Sequence, residues 1–190
     1  RRLKQGDITQ LLIAYREGDP EAFKSLVPLV YEDLKRIAHQ QLNRLRPGQT
    51  IDTTALVHEA YMNMVDQTRV QVSDRNHFYA ISARAMRQIL VDYARRKSAA
   101  KRGSGIPPVP LDKVQIGQAG QAELILALDR ALEKLGELDD RLARVFDCRY
   151  FAGLTPQETA DALDISLRTA QRDWSKSKAW LRRELSAGSI

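Results

Sequence analysis

The segment 155–185 restricts the fold of this chain more than any other, because it is typical of two short helices joined by a tight turn. Thr155 can cap the first helix, Pro156 suits its first turn, and Glu158 completes a capping box. Asp164 tolerates the left-handed backbone that a tight turn requires. The apolar positions that we expect to face inward are Ala160, Leu163, Ile165, Ala170 and Trp174.

The second of these helices has a long polar and basic face. The side chains that it offers to bases or phosphates are Ser166, Arg168, Thr169, Gln171, Arg172, Lys176 and Lys178. A helix-turn-helix with such a second helix is typical of proteins that read the major groove of DNA. Basic helix faces are also simply solvated in many all-helical proteins. The apolar spacing around the turn, together with the run of cations, favours DNA binding.

The distribution of charge along the chain also indicates a polyanionic partner. The 190 residues carry a net charge of +6. Residues 1–102 contain 18 basic and 11 acidic side chains, whereas residues 122–163 contain five basic and nine acidic ones. The cations are densest in 84–102 and in the second helix of the 155–185 segment. Two basic regions separated by an acidic one predict two contacts with DNA.

Composition argues against a secreted or membrane protein. Cys148 is the only cysteine, so we predict no disulfide within the chain, no cysteine metal site and a buried thiol. The sequence has no signal-peptide pattern and no apolar run that could span a bilayer. We therefore expect a cytoplasmic protein with no membrane partner.

The sequence contains few residues that could form a catalytic site or a metal site. The candidate ligands are His39, His58, Glu59 and His77, and no Glu-x-x-His pair is present. The adjacent His58 and Glu59 point to different faces of a helix, so they cannot easily share one ion. No nucleotide-binding glycine loop is visible either. We predict no catalytic activity, no cofactor and no metal site.

Apolar residues recur at helical spacing along most of the chain, which predicts an all-α fold. The predicted helices cover residues 8–17, 21–45, 53–66, 77–97, 122–135, 139–152 and the two within 155–185. Glycines and prolines in 101–121 predict a flexible linker. The chain would then consist of two helical domains, residues 1–100 and 122–190, joined by that linker.

The predicted fourth helix combines aromatic and basic side chains in the stretch FYAISARAMRQILVDYARRK, residues 78–97. Rings beside cations suit unstacked bases and phosphates, as in the capture of single-stranded DNA. The rings of Phe78 and Tyr93 would equally serve as core residues. With LVHEAY at 56–61 and the helix-turn-helix, the order of segments resembles an extracytoplasmic-function (ECF) sigma factor of the sigma-70 family over nearly the whole chain.

The resemblance implies a promoter-specificity subunit whose partners are bacterial RNA polymerase core and promoter DNA. The first, sigma region 2-like domain would dock on polymerase through the helix matching 52–66, with the family's pattern at Asp52, Leu56, Val57, Glu59 and Tyr61. The loop around 72–77 matches the loop that holds a flipped −10 base, with Asn76 as its reader. The remaining −10 contacts would come from Tyr79, Arg84, Arg87, Gln88, Arg95 and Arg96.

The resemblance makes the second domain a region 4-like helix-turn-helix that reads the −35 element. Its groove-reading side chains would be Arg168, Thr169, Gln171 and Arg172, following the cap at Ser166. Lys176 and Lys178 would contact phosphates.

The chain departs from the family at the predicted docking surface. Typical members carry an acidic patch, often Asp-Ala-Glu-Asp, where this chain has Asp52-Thr53-Thr54-Ala55. Loss of two carboxylates should weaken docking on a basic polymerase surface. Because a phosphate would restore the charge, we predict that a Ser/Thr kinase phosphorylates Thr53 or Thr54 and so switches on polymerase binding. The alternative is that these threonines only cap the third helix.

Two further alternatives remain open at the level of sequence. A helix-turn-helix transcriptional regulator that does not bind polymerase would explain the second domain equally well, although it has less need of the aromatic and basic fourth helix. Regulation by an anti-sigma factor is compatible with the resemblance, since family members are commonly held by such partners.

Overall fold

The computed structural model describes residues 5–45, 52–66, 74–103 and 116–187. Within these ranges it contains eight α-helices, one π-helical segment and no strand, which confirms the all-α prediction. The elements are α1 (Gln5–Arg16), α2 (Pro20–Leu45), α3 (Thr53–Asp66), α4 (Arg75–Gly103), α5 (Ile116–Leu138), α6 (Asp140–Phe146), the π-helical segment (Asp147–Phe151), α7 (Pro156–Leu163) and α8 (Leu167–Ala187). None of these helices is long and apolar enough to cross a membrane.

Helix α4 is the central element of the first four helices, and it contacts α1, α2 and α3. Its residues Met86 and Leu90 are fully buried, as are Leu34 of α2 and Leu56 of α3. These apolar residues recur at helical spacing, so each helix presents one stripe to a common core.

Helices α5 to α8 surround an aromatic centre. Phe146 stacks on Tyr150 of the π-helical segment with ring centroids 5.0 Å apart, and it contacts Trp174 of α8 at 5.5 Å. Leu132 and Leu135 of α5 are also buried. The ring of Trp174 therefore packs inward, as its position in the sequence predicts.

A continuous apolar core joins the two groups of helices. Helix α4 lies against α5, α7 and the π-helical segment. The fully buried Gln41 of α2 also links them, because its Nε2 donates to the carbonyl of Ala83 at 2.8 Å and lies 3.5 Å from that of Phe151. The structure is thus a closed arrangement in which α4 is partly covered.

Several helix ends differ from the sequence-based expectations. Helix α4 continues to Gly103 and α5 begins at Ile116. Residues 101–103 and 116–121, which we assigned to the linker, are therefore helical. Residues 104–115 lie outside the described part of the chain. Local glycines and prolines mark a break correctly, but they do not fix where the flanking helices end.

The helix predicted over 139–152 changes character after Phe146. The next five residues are π-helical, and the N–H of Ala152 donates to the carbonyl of Asp147 at 3.0 Å. The wider turn leaves Cys148 and Phe151 both about 1% exposed. The predicted burial of the thiol is confirmed, and burial raises the pKa of Cys148 to about 12.

Candidate nucleic-acid interface

The helix-turn-helix forms as the sequence predicts. The Thr155 hydroxyl accepts a hydrogen bond from the N–H of Glu158 at 3.2 Å, and the Glu158 carboxylate accepts from the N–H of Thr155 at 2.8 Å. Asp164 adopts a φ of 52°, the left-handed backbone expected at the turn. Ser166 caps α8, because its Oγ accepts from the N–H of Thr169 at 3.1 Å. These bonds fix the start of α8 relative to α7.

A buried carboxylate on the inner face of α8 holds this helix against α6. Asp173 is fully buried, and its carboxylate lies 2.6 Å from the Arg141 guanidinium of α6 and 3.2 Å from that of Arg172. Ala170 and Leu181 are buried on the same helix. The inner face of α8 is therefore fixed by both apolar and ionic contacts, and its outer face is presented in a defined orientation.

Three of the predicted groove-reading and phosphate-contacting side chains stand on that outer face. Arg168, Gln171 and Lys176 are all exposed. None of the three forms an ion pair or a side-chain hydrogen bond with another residue that the structure describes. Their donors and acceptors are consequently available to a ligand.

The other α8 candidates already have partners within the protein. Arg172 is 55% exposed but shares Asp173, and Lys178 lies 4.8 Å from the centroid of the Trp174 ring. The hydroxyls of Ser166 and Thr169 are 2.9 Å apart. These four residues lie on the polar side of the helix, and each also makes a contact within the protein.

On α4, four of the predicted −10 residues reach the surface. Arg84, Gln88 and Arg96 are exposed. Arg95 is half-exposed, and its guanidinium lies 3.4 Å from Asp92 on the same helix and 3.1 Å from Asp129 on α5. One partner of Arg95 thus belongs to the helix that covers α4.

Arg87 departs from the expectation of an exposed DNA contact. Its side chain is 10% exposed, and its NH1 lies 2.6 Å from the Asp129 carboxylate. Its Nε lies 3.4 Å from Asp147, and its guanidinium lies 5.3 Å from the centroid of the Phe151 ring. In this conformation Arg87 cannot contact a nucleic acid, because α5 and the π-helical segment lie over it.

Tyr79 is likewise an interior residue in this structure, not a platform for bases. It is 3% exposed, and its hydroxyl donates to the carboxylate of Asp33. Arg75 reaches the same carboxylate at 3.0 Å. Burial, followed by the hydrogen bond to Asp33, raises the pKa of Tyr79 to about 12. Sequence pattern alone did not distinguish this buried ring from an exposed one.

Only part of the predicted −10 loop falls within the described residues. Residues 72 and 73 lie outside them, and Asp74 caps α4 by accepting from the N–H of His77 at 2.9 Å. Asn76 follows this cap and is half-buried. Burial lowers the pKa of the neighbouring His77, which favours a neutral ring beside the position of Asn76.

Of the five residues predicted for docking on polymerase, only Asp52 and Glu59 are exposed. Leu56 and Val57 are 0% and 4% exposed, so both belong to the core here. Tyr61 stacks on Phe23 of α2 with centroids 5.4 Å apart. Glu59 is exposed. A partner approaching α3 would therefore meet Glu59 and its exposed neighbours, not the apolar pair.

The N-terminal end of α3 is capped by the residue that precedes it. The Asp52 carboxylate accepts from the N–H of Ala55 at 2.7 Å, so Asp52 takes the capping position. The idea that Thr53 and Thr54 serve as the helix caps is wrong. Thr53 is half-buried, Thr54 is exposed, and the first turn contains no acidic residue.

Sequence reasoning missed the acidic partners of the α4 cations. Asp129 and Asp147 are 4% and 8% exposed, whereas sequence reasoning identified their stretch only as an acidic region between two basic ones. The signal that could have identified Asp129 is its spacing, since it stands four residues after Ile125 and three before Leu132, both buried on the apolar stripe of α5. Met62 of α3, 45% exposed, is an apolar surface residue that sequence reasoning did not identify.

The described residues contain no group of three or more His, Cys, Asp or Glu side chains placed to hold a metal ion. The chain was also compared with known proteins. A family model described as ECF sigma factor matches residues 5–187. Among curated proteins, none matches the chain. The matched range includes α3, α4 and the helix-turn-helix, so it covers every element considered above.

Proposed function

The chain belongs to the ECF sigma factor family, and from this membership we propose a division of labour among its parts. Residues 1–100 dock on core polymerase and engage the −10 element, and residues 122–190 read the −35 element. The connection between them lies within residues 101–121, of which 101–103 and 116–121 are helical. The observation that carries the proposal is the co-occurrence of an ordered helix-turn-helix with an exposed polar face and a second basic helix, α4, within one family match.

The −35 element is read by the outer face of α8. Arg168 and Gln171 are exposed near the start of the helix, where the side chains of a recognition helix reach base edges. Arg can bond to guanine and Gln to adenine through two hydrogen bonds each. Lys176 lies about two turns from the start of α8, where a contact with the phosphate backbone is more suitable. Thr169, Arg172 and Lys178 add to this surface after local rearrangement.

The −10 element is held by the basic face of α4. Arg84, Gln88 and Arg96 are exposed there, and Asn76 stands at the N-terminal end of the same helix. Arg84 and Arg96 supply charge for phosphates, and Asn76 supplies an amide for a base edge. Because the flipped base must be unstacked at a cost of a few kcal/mol, several such contacts have to act together.

Docking on polymerase is controlled by phosphorylation of Thr54. Asp52 is the one acidic residue in 52–55, and one of its oxygens already caps α3. Thr54 is the more exposed of the two threonines. A phosphate adds about −1.5 to −2 charge, and in the first turn of a helix it is stabilised by the helix dipole. The added charge would replace the missing acidic patch without removing the cap.

Binding to purified bacterial core polymerase tests this switch. The informative pair is Thr54→Glu and Thr54→Gln, because the two side chains match in size and differ in charge. Thr53→Glu serves as a positional control at a half-buried site. We expect Thr54→Glu to bind core about tenfold more tightly than Thr54→Gln, equivalent to roughly 1.4 kcal/mol. Equal affinities would contradict the switch and leave the sigma factor assignment intact.

The regulator without polymerase binding is the alternative function. Membership of the ECF family disfavours it, and family members are not enzymes. A chain of that kind would bind duplex DNA but would not alter where core polymerase initiates, so the transcription assay described at the end of the Discussion separates the two.

A further inference from the structure

Two of the α4 cations predicted to meet DNA, Arg87 and Arg95, are paired with carboxylates from α5 and the π-helical segment. Asp129 uses one oxygen for Arg87 at 2.6 Å and the other for Arg95 at 3.1 Å. Asp147 approaches Arg87 from a second side at 3.4 Å. A carboxylate between two guanidinium groups resembles a phosphate in charge and in its hydrogen-bond acceptors. Asp129 therefore sits where a phosphate of the −10 strand would be expected.

Other contacts hold the same surfaces together. The exposed Arg44 of α2 donates to the carbonyl of Tyr150 and lies over its ring at 4.6 Å. Helix α7 contacts α4 directly. A cavity of about 250 Å³ remains between them, bordered by His77 and Arg84 of α4 and by Cys148. The closed arrangement thus covers part of the α4 basic face and leaves a cavity at the contact.

The ionic contact is incompletely satisfied. Arg87 Nε and Asp147 Oδ1 are buried, yet neither forms a hydrogen bond with another described residue. Burial raises the pKa of Asp147, which means that its charged form is disfavoured in this position. Buried charges without good partners are costly, so this contact is one that a competing ligand can displace.

We propose that this structure is a self-inhibited form, in which Asp129 and Asp147 of the second helical group hold Arg87 and Arg95, and so mask part of the −10 surface of α4, in competition with promoter DNA. The inference rests on the proposed function of α4. DNA engages Arg87 only in an open form, in which α5 and the π-helical segment have moved away. Promoter DNA and polymerase favour the open form because they bind it more tightly than the closed form.

The chain carries its own probe for opening, since Cys148 is its only cysteine and borders the cavity. Its reaction with a small disulfide reagent at about pH 8 requires access and a thiolate, and burial suppresses both. Fluorescence anisotropy with a labelled single-stranded DNA of mixed sequence then measures whether the α4 face has become available.

The key variant is Asp129→Asn, and Asp92→Asn is its matched control. Both remove one negative charge that lies beside Arg95, but Asp92 is exposed and lies on α4 itself. A second variant, Arg44→Gln, loosens the closed arrangement without leaving a buried charge unpaired. Circular dichroism confirms that each variant is folded. If Asp129→Asn does not fold, Arg44→Gln decides the matter by the same two readouts.

We expect Asp129→Asn to raise both the thiol reaction rate and the affinity for single-stranded DNA by about tenfold or more, in proportion to the open fraction. Asp92→Asn should change neither by more than about twofold, because it leaves the closed contact in place. Arg44→Gln should act in the same direction as Asp129→Asn. Equal rates and affinities in wild type, Asp129→Asn and Arg44→Gln would overturn the proposal.

These readouts do not involve polymerase, so they distinguish this proposal from the proposed function. If the thiol becomes reactive in Asp129→Asn while DNA affinity stays unchanged, the domains open but α4 does not bind the strand, which contradicts the masking role of Asp129. If both readouts stay unchanged while the chain still directs transcription, the sigma factor function holds and the self-inhibited form is wrong.

Discussion

Arg87 of α4 and Asp129 of α5 form an ion pair at 2.6 Å, with side chains that are 10% and 4% exposed, between residues 42 positions apart in the chain. A buried pair of this kind links the two groups of helices more specifically than their apolar contacts do. The pair also removes Arg87, a predicted DNA-contacting residue, from solvent. The stability of the closed form and the availability of α4 are therefore linked through the same two side chains.

A double-mutant cycle on this pair should reveal a large coupling. Arg87→Met and Asp129→Leu should each lower the free energy of unfolding by roughly 3–5 kcal/mol, because each leaves a buried charge with only its second, longer contact, Arg95 for Asp129 and Asp147 for Arg87. The double variant should cost less than the sum. Urea denaturation provides the measurement. The exposed pair Lys134 and Glu184, 2.6 Å apart, is the control, with coupling below about 1 kcal/mol. Additive effects at Arg87 and Asp129 would contradict this reading.

The Asp33 site should make stability depend on acid pH. Burial alone would raise the pKa of Asp33, but hydrogen bonds from Tyr79 and Arg75 bring it below its usual value of 3.8. A lowered folded-state pKa gives stability above the unfolded-state value, and that stability is lost as pH falls through the folded-state pKa.

Asp33→Asn should therefore be less stable near neutral pH and should lose less stability than wild type as pH drops below about 4. Thermal unfolding across acid pH checks this. Glu32→Gln, at an exposed neighbouring position, should reproduce the wild-type dependence. If Asp33→Asn and wild type have parallel pH profiles, the assignment of this contribution to Asp33 is wrong.

The capping box at Thr155 should add about 1 kcal/mol to the free energy of unfolding. Thr155→Ala removes the acceptor for the N–H of Glu158 and should lower the free energy of unfolding by roughly that amount. Thr155→Ser keeps the acceptor and should stay within about 0.5 kcal/mol of wild type. Chemical denaturation measures both. Identical midpoints for the Ala and Ser variants would show that the cap contributes nothing.

Substitutions on the outer face of α8 should distinguish the side chains that read bases from the side chain that contacts phosphates. Arg168→Ala and Gln171→Ala should each weaken specific binding by roughly 1–3 kcal/mol and relax preference at one base pair. Lys176→Ala should weaken binding to all duplexes alike and reduce the salt slope by about 1. Arg130→Ala, an exposed cation on α5, is the control. Titration of a −35 duplex and of scrambled duplexes at several salt concentrations checks this.

Local chemistry explains which parts of the structure could be predicted from sequence. The bounds of α3, the capping box at Thr155 and the left-handed Asp164 depend on neighbouring residues, so short-range patterns identify them. The all-α class follows from apolar spacing in the same way. The order of motifs was specific enough to indicate the family.

The parts that could not be predicted depend on contacts distant in sequence. Whether Arg87 faces solvent or Asp129 is decided by where α5 packs, and no pattern within α4 contains that information. Tyr79 likewise needed Asp33 of α2 to become an interior residue. The π-helical segment after Phe146 is a third case. Its wider turn accompanies the burial of Cys148 and Phe151 in the core, and the helix propensities of its own residues do not predict it.

Transcription from purified core polymerase tests the central claim, that this chain directs initiation at specific promoters, most directly. We would map transcript 5′ ends on a DNA library with core alone, with wild type and with Thr54→Glu. The account predicts new, discrete start sites with the chain present, stronger with Thr54→Glu and lost in an Arg168→Ala, Gln171→Ala double variant. If neither form of the chain produces discrete start sites while both bind duplex DNA, the chain is not acting as a sigma factor and the account is contradicted.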